Sequence, residues 1–143
     1  MIFRQITKED IPLLTSSKNY GFTDGWTEEM LLSAFDGGRF FGFILERENA
    51  PAGYVTLDKG LDDADIEEIF VFPQFRKLGV ATLLIKKVVE ELKVQGINRL
   101  LLEVREGNHP ARRLYEKNNF IKINERKKYY QNGENAVIYL KEF

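Results

Sequence analysis

The chain has 143 residues, 43% of them hydrophobic and 30% charged, which is enough for one domain with its own core and too little for two ordinary domains. Its 21 basic and 22 acidic residues give a net charge of −1, so the charge balance does not indicate a nucleic-acid-binding protein. The absence of cysteine excludes disulfides, thiolate zinc sites and a cysteine nucleophile, and no apolar run approaches the roughly 20 residues that cross a bilayer. We therefore expect one domain over residues 1–143, located in the cytoplasm, with neither nucleic acid nor membrane as a partner.

Two short helices are predicted after the first strand. Residues 1–6 alternate polar and apolar side chains, as a strand does, and Thr7 can then cap a first helix. Thr27 can cap a second helix, because acidic residues follow it at once and apolar residues come next. Residues 20–26, between these helices, combine glycines with aromatic residues, so we expect a loop there with exposed aromatic side chains.

The remaining elements predict a mixed sheet. Six further strands are expected at residues 39–46, 52–58, 67–72, 99–105, 120–130 and 136–140, with residues 48–51 joining the first two. Helical spacing predicts a long helix over residues 80–93, and Pro110 opens another. A helix of that length between two strands implies that strands 67–72 and 99–105 are parallel, and the apolar run 99–105 indicates burial on both faces. We expect an α/β fold of the α+β type, with a mixed, mostly antiparallel sheet and a central parallel strand pair flanked by helices.

A candidate anion site lies between the strand at residues 67–72 and the long helix. A basic turn containing Arg76, Lys77 and Gly79 leads into this helix, which begins near Val80. The first N–H groups of a helix have no internal partners and lie at the positive end of its dipole, so they can bind a phosphate. The turn has neither P-loop spacing nor the Gly-x-Gly-x-x-Gly pattern. On these residues alone, a plain strand–helix connection with solvated basic side chains is the alternative.

Two motifs resemble those of the GNAT superfamily of acetyl-coenzyme A-dependent N-acetyltransferases. Residues 76–81, RKLGVA, resemble its Gln/Arg-x-x-Gly-x-Gly/Ala signature, and they directly follow the strand that the family requires. Residues 101–120, LLEVREGNHPARRLYEKNNF, are similar to its pattern of strand, Asn, helix, Leu-Tyr-Glu-Lys and Phe. With the tyrosines of ERKKYY and the segment ENAVIYL, the chain is most similar to the RimI-type branch, which acetylates protein N-termini, including that of a ribosomal protein. Lys77 and Asn119 depart from the pattern, since glycine is usual at both positions.

The resemblance implies that acetyl-coenzyme A (acetyl-CoA) is the acetyl donor. Backbone amides of the basic turn would bind its diphosphate, and the backbone of the preceding strand would pair with its pantetheine arm as an extra strand, while the Val71 N–H would donate to the oxyanion. Asn108 lies where the family has a pantetheine-contacting Asn, although an Asn at a helix entry also commonly caps the helix. The implied cofactor-binding residues are Ile69, Phe70, Val71, Arg76, Lys77, Leu78, Gly79, Val80, Ala81, Thr82 and Asn108.

The same resemblance places the general base at Glu103 and the general acid at Tyr115. From the residues alone, a carboxylate within an apolar strand is costly unless it opens to a cleft or finds a partner. Ligands of open α/β sheets bind at the carboxyl ends of strands, which is where Glu103 falls. Tyr115 shares a helical face with apolar residues, so a role in the core is the alternative for it. Asp65, Glu67 and Glu68 are rival bases that the sequence does not rank.

The acceptor is expected to be an amine, and most simply the N-terminal α-amine of a protein. Direct transfer needs an uncharged amine, and an α-amine with a pKa of ~8 loses its proton more readily than a lysine at ~10.4. The acceptor would enter between the loop at residues 20–26 and the last hairpin, contacting Trp26, Glu68, Tyr129 and Tyr130. Strand packing is the alternative for the two tyrosines. A small amine as acceptor (a polyamine, amino acid or aminoglycoside) and a non-catalytic acyl-CoA-binding module are the other functions left open.

No metal site is predicted. The sole histidine, His109, lies beside a helix start, and no group of Asp, Glu and His has the spacing of metal ligands. We expect a monomer or a weak dimer.

Overall fold

The computed structural model describes residues 1–22 and 24–143, and seven strands within these ranges form one sheet. They are β1 (Ile2–Gln5), β2 (Phe40–Arg47), β3 (Ala50–Lys59), β4 (Ala64–Val71), β5 (Arg99–Arg105), β6 (Ile121–Arg126) and β7 (Ala136–Glu142). The order across the sheet is β1-β2-β3-β4-β5-β7-β6, and all neighbours are antiparallel except β4 and β5. The predicted mixed, mostly antiparallel sheet with a central parallel pair is confirmed.

The α-helices of the described ranges are α1 (Ile11–Leu14), α2 (Glu28–Asp36), α3 (Val80–Val94) and α4 (His109–Lys117), and short 3-10 helices span Lys8–Asp10, Ser16–Tyr20 and Pro73–Phe75. Helix α2 begins as predicted, because the Thr27 hydroxyl accepts a hydrogen bond from the Met30 N–H. Helix α3 is followed by Gly96 at a φ of 77°, the left-handed conformation that ends many helices. Within residues 1–22 and 24–143, no helix combines the length and apolar character that crossing a bilayer requires.

The sheet separates two hydrophobic cores. On one face, Leu84 and Val88 of α3 pack with Leu57 of the sheet and are fully buried. On the other face, Leu14 of α1 and Leu31 of α2 are fully buried among side chains of β2, β3 and β4. The alternation of side chains along each strand therefore decides which core a residue joins.

One inserted residue changes this alternation within β4. Leu57 lies opposite Ile66, but its neighbour Thr56 lies opposite Glu68, so Glu67 is the extra residue of a β-bulge. Ile66 belongs to the core beneath α3. Without the bulge, Glu68 would lie on the same face of the sheet as Ile66. The extra residue places it on the opposite face, toward the core beneath α1 and α2, where it is 6% exposed.

The hairpin between β2 and β3 is tighter than predicted. Only Glu48 and Asn49 connect the strands, and their φ values of 52° and 62° are those of a two-residue turn with left-handed residues. Pro51, expected in the turn, lies in β3 opposite Glu46, next to Ala52, the extra residue between the pairs Leu45–Gly53 and Glu46–Pro51. The irregular ladder there explains how a residue without an N–H fits into the strand.

Two other predictions about the strands are wrong. Strand β5 is not buried on both faces, because Leu100, Leu102 and Val104 are buried whereas Glu103 is exposed. The last hairpin is also less regular than expected, since β6 ends at Arg126. The two tyrosines that follow it therefore lie in the 127–135 loop between β6 and β7, outside any strand.

Candidate active site

A cleft opens where the two parallel strands separate. In the described ranges, β4 and β5 pair only from Ala64 with Leu100 to Ile66 with Leu102, and the bulge at Glu67 follows directly. Beyond these pairs the strands enclose a cleft of about 270 Å³ at their carboxyl ends. It is lined by the predicted residues Glu67, Glu68, Ile69, Val71, Ala81, Glu103, Asn108, Tyr115 and Tyr130, by Phe22 and Asp24 of the segment predicted to border the acceptor entrance, and by Arg105, Ala111 and Leu114, which the sequence analysis did not name as site residues.

A second cavity, of about 300 Å³, lies at the basic turn. It shares Val71, Ala81 and Leu114 with the cleft, so the two form one groove from the start of α3 to the end of β5. The other predicted residues that line it are Arg76, Lys77, Gly79, Val80 and Thr82, and Lys117 of α4 joins them. The structure therefore brings most of the predicted cofactor residues together along one path.

The backbone of the turn leaves the first amides of α3 open. Lys77 and Gly79 have φ values of 63° and 78°, both in the left-handed region. Gly79 is the N-cap of α3, and in the described chain no side chain caps the helix there. These N–H groups can therefore bind an anion. Lys77 adopts the conformation that glycine usually supplies, at a cost of about 1 kcal/mol.

Two predicted cofactor residues direct their side chains elsewhere. Phe70 is 5% exposed and packs in the core beneath α1 and α2, and it lines neither cavity. The Leu78 side chain is 54% exposed and lies outside the lining of both cavities. The Arg76 Nε–H donates to the carbonyl of Val71 at 3.1 Å, which holds its guanidinium against the end of β4.

Asn108 caps α4 and lines the cleft as well. Its Oδ1 accepts a hydrogen bond from the Ala111 N–H at 3.2 Å. The capping role that the sequence left open is therefore present, and the side chain still lines the cleft.

Tyr115 belongs to the core and also reaches the cleft. It is 7% exposed, and its ring centre lies 5.6 Å from that of Phe120 and 6.2 Å from that of Tyr139. Burial raises the pKa of its hydroxyl. Among the described residues, none forms a side-chain hydrogen bond with this hydroxyl. The phenol therefore keeps its proton at neutral pH and has its hydrogen-bonding capacity free.

Glu103 lines the cleft from β5. Its Oε1 is 3.3 Å from Nη2 of Arg126 in β6, and its side chain is 32% exposed.

Two neighbouring carboxylates on β4 have environments that favour the protonated form. Burial, followed by the charges of Asp58, Asp65 and Glu103, raises the pKa of Glu67. Burial is also the largest cause of the raised pKa of Asp65.

Glu68 is the most enclosed of the rival bases. Its Oε1 lies 2.5 Å from the Tyr54 hydroxyl, and Oε2 has no hydrogen-bond partner among the residues described. Burial raises its pKa to about 7, although the bond from Tyr54 opposes this rise. The Tyr54 hydroxyl also lies 3.2 Å from the Leu14 carbonyl. The Tyr54 hydroxyl can therefore donate to Glu68 or to the Leu14 carbonyl, and Oε2 of Glu68 is left without a partner among the described residues in either case.

Two of the predicted acceptor residues lie beside the cleft rather than in it. The Trp26 Nε1–H donates to the hydroxyl of Thr56 at 2.9 Å, and its ring packs edge-on against Phe40. Tyr129 is 52% exposed, and its ring centre lies 5.2 Å from that of Tyr130. Of the two tyrosines, only Tyr130 lines the cleft.

The described residues hold no group of three or more Asp, Glu or His side chains placed to bind a metal ion. The expectations of no metal and of a monomer or weak dimer stay predictions.

Comparison with known proteins identifies the family. Residues 6–120 match the model of the Acetyltransferase (GNAT) family, and the chain belongs to this family of acetyltransferases. Over 137 residues it is 33% identical to a putative [ribosomal protein bS18]-alanine N-acetyltransferase of Bacillus subtilis, covering 94% of this chain and 91% of the relative. The predicted GNAT membership and RimI-type resemblance are confirmed, and the protein is an N-acetyltransferase.

Solved structures agree with this assignment. The crystal structure of the ribosomal-protein-S18-alanine N-acetyltransferase from Escherichia coli superimposes with a TM-score of 0.89 at 27% identity, covering 99% of this chain and 92% of that one. A putative streptothricin acetyltransferase from Bacillus anthracis, in complex with acetyl coenzyme A, superimposes with a TM-score of 0.69 at 26% identity, covering 73% of this chain and 63% of that one. The fold of the chain is thus that of GNAT enzymes.

Proposed function

We propose that this protein transfers the acetyl group of acetyl-CoA directly to the N-terminal α-amine of a protein, with a ribosomal protein as the first candidate. The observation that carries the proposal is the groove between β4 and β5, which runs from the open amides of α3 to a cleft holding both Glu103 and Tyr115. Similarity to the Bacillus subtilis and Escherichia coli relatives supports an α-amine as acceptor. A ribosomal acceptor would place the reaction in the cytoplasm.

Acetyl-CoA would lie along the groove. The free N–H groups of Val80, Ala81 and Thr82 would bind its diphosphate, with the charge of Lys77 nearby. The pantetheine arm would follow the side of β4 that faces β5, pairing with the backbone of residues 69–71 as an added strand does. The related Bacillus anthracis structure, which contains acetyl coenzyme A, supports this donor.

The reaction would proceed through a tetrahedral intermediate. The amine nitrogen forms a bond to the acetyl carbonyl carbon, and the carbonyl oxygen becomes an oxyanion that accepts a hydrogen bond from the Val71 N–H. The C–S bond then breaks, and the coenzyme A thiolate takes the proton of the Tyr115 hydroxyl. The proton lost by the amine passes to a carboxylate and returns to Tyr115 through solvent. The unpartnered, neutral Tyr115 hydroxyl suits the acid role.

We propose Glu103 as the base, since it lies at the carboxyl end of β5 and lines the cleft with its side chain partly in solvent. Such a position suits proton transfer through a water molecule. Glu67 is the alternative, and its raised pKa favours it because a carboxylate with a higher pKa is a stronger base.

A thiol-release assay would test the function. Purified protein and acetyl-CoA are mixed with peptides that have a free N-terminus, with the same peptides blocked by a formyl group, and with a panel of small amines. We expect release of coenzyme A only with the free peptides. Reaction with small amines alone would replace the protein acceptor by a small-molecule one. Thermal stabilisation by acetyl-CoA without thiol release from any amine would instead indicate a binding module.

A further inference from the structure

Arg105, the last residue of β5, contacts two loops that are distant in the chain. Its Nε–H and an Nη2–H donate to the two carboxylate oxygens of Asp24, at 2.8 and 2.9 Å. Its Nη1 lies 3.5 Å from Oε1 of Glu134, and its guanidinium carbon lies 3.9 Å from the centre of the Tyr130 ring. Asp24 belongs to the connection between the 3-10 helix Ser16–Tyr20 and α2, of which residues 21–22 and 24–27 are described and are called the 21–27 loop here, and the other two belong to the 127–135 loop.

The 127–135 loop is also fixed to the turn that follows β5. Oε2 of Glu134 accepts a hydrogen bond from the Gly107 N–H at 2.9 Å, and its Oε1 accepts one from the Asn132 amide at 3.2 Å. A Cβ at Gly107 would lie 2.8 Å from this carboxylate, so the approach depends on glycine. Arg105 therefore attaches the 21–27 loop, through Asp24, to a loop that has additional contacts of its own.

Both loops contribute to the mouth of the cleft. Phe22 and Asp24 line it from the 21–27 loop, and Tyr130 lines it from the 127–135 loop. Arg105 lies between them and lines the same cleft. The distance between the two loops sets the width of the cleft opening on this side. The guanidinium group of Arg105 bridges that distance.

The contacts of Arg105 depend on the shape of arginine. A single exposed ion pair contributes little, but a two-pronged bond to a carboxylate combined with stacking on an aromatic ring is stronger and fixes the geometry. Lysine has the same charge but cannot donate in a planar fork and stack at once. The Arg105 side chain is 27% exposed, so water competes only partly for these contacts.

We propose that Arg105 is a positioning residue for the acceptor. It holds the 21–27 loop against the 127–135 loop and so sets the width of the passage through which the amine reaches the cleft. The proposal rests on the proposed function, because it requires that the acceptor enter between these loops. Arg105 acts through Asp24 and Tyr130 and does not touch the reacting atoms.

Steady-state kinetics of Arg105→Lys and Arg105→Met test the proposal. We expect the KM for a reactive peptide to rise about tenfold, with kcat changed less than about threefold and the KM for acetyl-CoA changed less than about twofold. Arg4→Lys is the matched control, since Arg4 makes a similar two-pronged bond to Asp10, at 3.0 and 2.8 Å, away from the cleft. It should leave all three constants unchanged. An unchanged peptide KM in the Arg105 variants, or an equal loss in every constant, would overturn the proposal.

Hydrogen exchange separates this proposal from the proposed function. In Arg105→Met, amides in both loops should exchange faster than in the wild type, whereas Asp24→Asn should affect the 21–27 loop more, because Glu134 and Tyr130 keep their other contacts. If the wild type acetylates no amine, the proposed function fails while exchange still reports whether Arg105 joins the loops. Unchanged exchange in both loops would refute the role of Arg105 even in an active enzyme.

Discussion

The Tyr54 hydroxyl lies 2.5 Å from the carboxylate of Glu68 in an interior where the other carboxylate oxygen has no partner among the described residues. The bulge at Glu67 is what brings these two side chains together, because it turns Glu68 onto the face that carries Tyr54. An isolated buried carboxylate is costly in its charged form, so the neutral form is favoured. The pair therefore makes stability depend on pH.

Glu68→Gln should flatten the dependence of stability on pH. The pKa of Glu68 rises from 4.5 to about 7 on folding. The folded state therefore holds the proton more tightly, and its stabilisation is complete below pH 4.5 and is lost as the pH rises through about 7. A rise in pKa from 4.5 to about 7 corresponds to roughly 3 kcal/mol in the free energy of unfolding.

Urea unfolding of the wild type and Glu68→Gln from pH 4.5 to 8 gives the free energy of unfolding at each pH. The contribution of Glu68 is the difference between the two proteins in the slope of this free energy against pH. Other carboxylates contribute equally to both proteins and cancel in that difference. Tyr54→Phe should keep the slope and extend it to higher pH, because the bond from Tyr54 lowers the pKa of Glu68. Identical slopes in the wild type and the Gln variant would mean that Glu68 is ionised throughout.

Tyr115→Phe should lower kcat about a hundredfold while acetyl-CoA binding is retained. The hydroxyl forms no side-chain hydrogen bond in the described part of the chain, so its loss should change the free energy of unfolding by less than about 0.5 kcal/mol. Single-turnover kinetics and thermal unfolding measure the two effects separately. A stable variant with wild-type kcat would assign Tyr115 to the core alone.

Glu103→Gln and Glu67→Gln should distinguish the two candidate bases. If Glu103 is the base, its variant loses about a hundredfold or more in kcat, whereas Glu67→Gln stays within about tenfold. If Glu67 is the base, Glu103→Gln should stay active and shift the acidic limb of the pH–rate profile to lower pH. The charge of Glu103 raises the pKa of Glu67, and its removal lowers that pKa. Wild-type profiles for both variants would exclude both residues.

Gly79→Ala should raise the KM for acetyl-CoA about fivefold, because an alanine resists the left-handed backbone that opens the amides of α3. Gly96→Ala is a matched control at the other end of the same helix. The φ of Gly96 is 77° and that of Gly79 is 78°, and a Cβ added at either residue would lie in open space. Both variants should lose about 1 kcal/mol of stability, but only the first should change the KM. Equal KM values would argue against diphosphate binding at this turn.

The sequence was sufficient to predict the order of strands and helices, the capping residues and the basic turn before α3. Each of these features depends on residues that are close together in the sequence. The position of Glu103 at a strand end and of Tyr115 on a helix was also predictable, with their roles implied by resemblance to the GNAT family. The local sequence did not determine whether each of these side chains faces a hydrophobic core or the cleft.

Only the tertiary structure decided the rest. Glu68 is buried because a single bulge in β4 changes its face, and Trp26 bonds to Thr56 beside the cleft instead of lining it. The contacts of Arg105 with Asp24 join residues 81 positions apart, which no local pattern encodes. Sequence periodicity describes the contacts that a residue makes within its own element, whereas the active-site cleft is built where separate elements meet, and its geometry depends on how the whole sheet twists and separates.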